Sequence, residues 1–263
     1  MILEDKVAVI YGAGGAIGGA VARAFAREGA KVFLTGHHQA AVDAVAKEIA
    51  SAGGSAEAAE IDALDEEAID KHLESVTSKA GRVDVSFNAI GTPDRKIVGV
   101  PLVDLEVEWF SLPIMSYATS YFLTARLAAR RMIANKSGVI MTVSAVHSRE
   151  GIPLVGGYGP AQAAKEALTR DLSAELAPYG IRVVGLRPNA MPETSTIKNA
   201  YEPRAKASGM TWEQWQQMLA SRTHGKRLMT LEEMANVAAF MASDRASGIT
   251  GTTVNLTMGR VDD

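Results

Sequence analysis

Lys6–Tyr11 is a short, apolar, β-branched run. It is followed at once by Gly12-Ala13-Gly14-Gly15-Ala16-Ile17-Gly18, and Ile17–Glu28 then shows helical periodicity. A strand that leaves through a glycine turn and enters a helix directly commits the chain to a β–α unit. Gly12 permits the tight turn, and small residues at 13–16 let the backbone approach a pyrophosphate. Gly18 lets the helix pack closely on the sheet. The helix N-terminus then offers free N–H groups and a positive dipole end to phosphates. The plainer reading of the same residues is a tight turn with no ligand.

The alternation continues to the end of the chain. Strand-like runs recur at Lys31–Thr35, Glu57–Ile61, Val83–Ala89, Val139–Val143, Ile181–Arg187 and Thr253–Leu256. Helical patterns lie between them at Gln39–Ala52, Asp65–Lys79, Tyr117–Asn135, Tyr158–Ala177 and Thr230–Ser243. Strands apolar on both faces and separated by helices predict an α/β fold, a parallel sheet covered on both sides. No linker rich in Pro, Gly or Ser and no repeat divides the chain, so residues 1–263 read as one domain. The widest irregular stretch, 189–227, exceeds ordinary connections and reads as a substrate lid. Within it Thr211 and Gln214 form a capping-box pattern, and Trp212, Trp215, Met218 and Leu219 recur at helical spacing.

Composition narrows the function classes. With a net charge of −3 and no basic block, nucleic acid is not an expected partner. The absence of cysteine excludes disulfides, thiolate metal sites and thiol catalysis. The five histidines show no metal-ligand spacing, so no metal is expected. No apolar run approaches the roughly 18 residues of a membrane span. No basic segment leads into an apolar one at the N-terminus, so a cytoplasmic location is expected.

The order of motifs resembles the short-chain dehydrogenases/reductases over nearly the whole length. Residues 11–18 are similar to that family's T-G-x-x-x-G-x-G loop, with Tyr11 for threonine and Ala16 for the middle glycine. Asp62 ends the third strand, and Asn88-Ala89-Ile90-Gly91 resembles N-N-A-G. Tyr158 opens a long helix carrying Glu166-Ala167-Leu168-Thr169, and Pro188-Asn189 stands where the family has Pro-Gly. The resemblance implies a single Rossmann-type, doubly wound sheet flanked by helices. It implies a dinucleotide held by Gly12, Gly14, Gly15, Ala16, Ile17, Gly18, Asp62, Ala63, Asn88, Ala89, Gly91, Pro188 and Thr194. Hydroxyls in 194–197 are further candidates for the cofactor. After the second strand comes Thr35-Gly36-His37-His38, with no acid to hold an adenosine ribose. His37 stands where a 2′-phosphate would be met, which favours NADP(H) over NAD(H).

The family's mechanism, carried onto these positions, needs a tyrosine, a lysine, a serine and an asparagine. Tyr158 matches. Gln162 replaces the lysine; it can hydrogen-bond a ribose hydroxyl but supplies no charge. The serine position is Ala145, with Ser144 one residue before it. The asparagine position falls near Ser116 or Tyr117. Lys165, seven residues after Tyr158, lies on the same helix face about 4.5 Å beyond Gln162. Its ordinary reading is a solvent-facing lysine; its sharper one is the Y-x6-K spacing of the enoyl-acyl-carrier-protein reductases. His147 is read as a loop histidine or as a proton donor or acceptor near the substrate. Without a nearby cation, Tyr158 stays protonated at neutral pH, which suits reduction of a carbonyl or an activated double bond of a small molecule. A rival reading keeps the scaffold and drops redox chemistry, with a dinucleotide as structural or sensing ligand, or with lyase or isomerase chemistry. The family implies a homo-oligomer, a dimer or tetramer. Ala125, Ala128, Ala129, Ala161, Ala163 and Ala164 are the small residues for close helix pairing between subunits.

Overall fold

Seven parallel strands carry the apolar runs. They are β1 Val7–Tyr11, β2 Lys31–Gly36, β3 Ser55–Glu60, β4 Val85–Asn88, β5 Gly138–Val143, β6 Ile181–Pro188 and β7 Thr252–Leu256. The computed structural model describes residues 1–92 and 97–262, the side chains at 195, 196, 200, 203 and 207 excepted. Strand order is β3-β2-β1-β4-β5-β6-β7, and every neighbouring pair is parallel. The chain therefore winds outward from β1 in both directions. The crevice between the ends of β1 and β4 is the switch point at which such sheets bind ligands.

The helices cover both faces. α1 (Ala16–Arg27), α2 (Gln39–Ser51) and α8 (Leu231–Ala242) bury Phe25, Val42, Ile49 and Met234 against one side of the sheet. α3 (Glu66–Ala80), α4 (Val107–Asn135) and α5 (Tyr158–Leu176) bury Leu73, Tyr121, Leu127 and Leu172 against the other. Asp65 caps α3, its carboxylate accepting the Ala68 N–H at 3.0 Å. Both capping boxes form, Thr211 with Gln214 and Thr230 with Glu233.

Three sequence readings need correction. The long fourth helix starts at Val107 rather than Tyr117 and runs through Pro113, where one backbone N–H is missing but the turn is kept. Besides α7 (Trp212–Ser221), the helix read from Thr211 onward, the stretch 189–227 holds a second one that was not read, α6 (Ser195–Ala207). The polar sequence of α6 has no apolar period to announce it. Finally, Ala125, Ala128, Ala129 and Ala161 are buried within the chain's own core, where α4 packs on α5 and the sheet. Close packing between these helices already uses them; Ala163 is exposed and Ala164 half-buried.

Candidate active site

At the carboxyl end of β1 the backbone turns with Gly12 at φ +76°, a left-handed conformation that favours glycine. A side chain at Gly12 would also meet the Ala89 carbonyl, and one at Gly18 would collide with the Gly12 carbonyl. Gly15 is the N-cap of α1 and offers no capping side chain. The first N–H groups of α1 thus face the crevice with no side chain competing for them. Tyr11 points the other way, into the layer under α3 and α4, and its buried hydroxyl has no partner.

A cavity of about 210 Å³ opens beside this turn. Its loop side is formed by Gly15, Ala16, Ile17, Ala89 and Gly91, and its floor by Ser144, Ala145 and Pro188. From α5 come Tyr158, Gln162 and Lys165, which share one helix face; Tyr117 enters from α4. His147, from the turn after β5, stands edge-on to the Tyr158 ring at 4.9 Å between centroids, and Tyr117 does so at 5.8 Å. Thr194, Ile197 and Tyr201 close the outer side, and Tyr201 is backed by Trp215 of α7 at 6.2 Å.

Lys165 does not face solvent. It is only 2% exposed, its Nζ donates to the Val143 carbonyl, and it lies 4.7 Å from the centre of the Tyr117 ring. The exposed reading failed because periodicity fixes the face of a helix but not what covers it. Burial brings the Lys165 ammonium down to about 7, and the charge of Glu166 only partly opposes this. Burial, with Arg260 adding to it, takes His147 down to about 4, so its ring is neutral at neutral pH.

Beneath the cavity lies a group that sequence reasoning missed. The Glu166 carboxylate receives Arg187 Nε at 2.8 Å and Nη2 at 2.9 Å, Ser144 Oγ at 2.7 Å and Ser148 Oγ at 2.6 Å. Burial pushes the Glu166 carboxyl up, but the bonds from Arg187, Ser148 and Ser144 outweigh it and hold it below the usual carboxylate range. The signal was present: Arg187 is a charge near the end of an otherwise apolar strand, and such a residue needs a buried partner. Arg260 was also missed; it pairs with Glu150 at 2.6 and 2.8 Å and reaches Asn189 Oδ1 at 3.3 Å.

The cavity gathers Ser144, Tyr158, Gln162 and Lys165 with Gly15, Ala16, Ile17, Ala89, Gly91, Pro188 and Thr194. The other proposed ligands of a cofactor lie outside this lining. Gly12, Gly14 and Gly18 shape the turn behind it. Asn88 is turned inward and donates to Thr124 Oγ1 at 3.1 Å. Ala63 is buried in the core under α3. His37 and Asp62 meet each other at the end of β2, with His37 Nε2 3.4 Å from Asp62 Oδ1. The Thr194 hydroxyl caps α6, accepting the Ile197 N–H at 3.2 Å. The side chains of Ser195 and Thr196, expected near a cofactor, lie outside the described residues. Among the described residues no group of three or more His, Asp or Glu is placed to hold a metal ion, and no helix is long and apolar enough to cross a membrane.

Whether the residues fit a nicotinamide dinucleotide can be judged from buried polar atoms. Gln162 Oε1 and Asn189 Nδ2 line the cavity, are shut off from solvent and have no partner in the protein. One is an acceptor and the other a donor, which suits a ribose hydroxyl and a carboxamide oxygen. With the uncapped helix start, the fit holds.

Fold and site together define a dinucleotide-binding protein of the doubly wound α/β class. A family model described as enoyl-(acyl carrier protein) reductase matches residues 12–260. The 7alpha-hydroxysteroid dehydrogenase of Escherichia coli K12 is 29% identical over 99% of this chain and 96% of its own length. The 3-oxoacyl-(acyl-carrier-protein) reductase of Thermotoga maritima is 30% identical over 99% of this chain and 100% of its own. A crystal structure of NAD+-bound xylitol dehydrogenase superposes with a TM-score of 0.90 at 28% identity, covering 98% of this chain and 100% of that one. The chain belongs to the short-chain dehydrogenase/reductase family and is an NAD(P)-dependent oxidoreductase.

Proposed function

We propose that the cavity reduces a carbonyl or activated double bond of a small molecule, with Tyr158 as proton donor to the substrate oxygen. One observation carries this reading: Tyr158 shares the cavity with two buried, unpartnered polar atoms that match the nicotinamide end of a dinucleotide. When bound, the dihydronicotinamide supplies a hydride. Gln162 and Asn189 hold the ribose and carboxamide, the first turn of α1 takes the pyrophosphate, and Tyr158 gives up its phenolic proton. Lys165 replaces the cation that position 162 lacks, acting through Tyr117, whose ring it approaches at 4.7 Å. That placement supports the Y-x6-K arrangement and, with it, conjugate reduction of an enone.

His37 supports NADP(H) over NAD(H). Asp62 engages the same imidazole, so the preference is expected to be no more than about tenfold. The outer face of α4 exposes Leu112, Met115 and Phe122, which supports self-association to a dimer or tetramer. The test is fluorescence titration of the purified protein with NADPH and NADH, followed by turnover with cyclohexenone. Saturable binding with shifted nicotinamide emission, and a loss of at least about 100-fold in kcat in Tyr158→Phe, are the expected results. Absence of binding by either nucleotide returns the scaffold to a role without redox chemistry.

A further inference from the structure

We infer that His147 is the second hydrogen-bond donor to the substrate oxygen, standing beside Tyr158 where Ala145 offers no hydroxyl. This rests on the reductive reading above.

The residue one expects to fill that role is Ser144, and its geometry removes it. Its Oγ donates to the buried Glu166 carboxylate at 2.7 Å and also lies 3.4 Å from the Leu186 carbonyl. A hydroxyl has one proton, and here a charged acceptor holds it. Ser148 is bound to the same carboxylate at 2.6 Å. Ala145 lines the cavity but has nothing to donate. Tyr117 is placed under Tyr158 and beside Lys165, and its hydroxyl accepts the Thr92 N–H at 3.2 Å.

His147 remains. It lines the cavity, and its ring meets that of Tyr158 edge-on at 4.9 Å, so the two side chains border one small volume. Its Nδ1 is buried and unpartnered. A buried imidazole nitrogen without a partner is costly unless a ligand completes it. Because the ring is neutral at neutral pH, it presents one N–H and does not compete with Tyr158 as an acid. In the reduction, hydride joins the carbonyl carbon of a ketone or the β carbon of an enone, and the π electrons move onto oxygen, which becomes an alcohol or an enol once protonated; the enol then tautomerises to the ketone. Tyr158 delivers its proton to that oxygen, and its phenolate regains one from solvent. His147 keeps its proton throughout and polarises the bond, as a preorganised dipole does best where charge develops.

The experiment compares wild type, His147→Ala, and His147→Ala combined with Ala145→Ser, using NADPH and cyclohexenone. His147→Ala is expected to lose about 100-fold in kcat with NADPH affinity unchanged. The added serine is expected to restore most of that loss, because it returns a hydroxyl to the cavity without restoring the imidazole. Wild-type turnover in His147→Ala, or a loss that the serine does not rescue, overturns the proposal; the latter marks a merely structural histidine. A second measurement needs no turnover. In protein saturated with NADP+, the imidazole 15N resonances missing from His147→Ala are expected to shift as cyclohexenone is added, and resonances that stay fixed overturn the proposal. Failure of the underlying reading shows separately, as wild type that binds neither NADPH nor NADH.

Discussion

The turn after β1 and the face of α5 meet at one cavity, yet they are built from different materials. The turn is made of backbone: its N–H groups face the crevice, and Gly12 and Gly18 are there because side chains would not fit. The α5 face is made of side chains, and each chemical role can be taken over by a residue reaching in from a neighbouring position. In the proposed mechanism Lys165 stands in for a lysine at 162 and His147 for a serine at 145, and Tyr117 lines the same cavity. Backbone sites tolerate little substitution at fixed positions; side-chain sites tolerate it when the same atoms can be delivered from elsewhere.

Substitution at the turn should be the harshest test of this contrast. Gly18→Ala sets a methyl group against the Gly12 carbonyl. It should abolish measurable NADPH binding and cost about 2–4 kcal/mol in denaturant unfolding. Intact binding would mean that the turn is as adaptable as the α5 face.

Lys165→Met should divide activity from stability. Turnover is expected to fall about 10- to 100-fold, while thermal unfolding shows a gain of about 1–2 kcal/mol, because a buried ammonium without a carboxylate partner is replaced by an apolar chain. The wild-type group has its folded pKa lowered to about 7 from 10.5, so the unfolded chain binds more protons between these values. Its penalty is therefore largest below pH 7 and fades as pH rises toward 10.5. That slope should be absent in Lys165→Met. The smallest expected effect lies at the rim: His37→Asp should turn the nucleotide preference toward NADH by about tenfold, read as a ratio of dissociation constants.

Legibility in the sequence followed the same division. The β–α alternation, the glycine turn and the Thr211–Gln214 capping box were readable because each rests on local rules of backbone geometry. Tyr158 was singled out at the start of its helix, and the structure sets it in the cavity lining. The burial of Lys165 was not readable, since it depends on Tyr117 and β5 closing over that part of α5. The Glu166 cluster was not, since its members come from positions 144, 148, 166 and 187 and meet only in the folded sheet. The start of α4 was missed because residues 107–116, with Pro113 among them, do not advertise a helix.

The Glu166–Arg187 pair also limits where a second cation can stand. Its carboxylate is already saturated by a guanidinium and two hydroxyls, so the floor has no free negative charge for another cation. A lysine placed at position 162 would set a second ammonium about one helical turn from Lys165 with no carboxylate left to pair with it. Gln162→Lys is therefore expected to destabilise the fold unless Lys165 is replaced as well. This end of α5 has room for one buried ammonium, at position 162 or at position 165 but not at both.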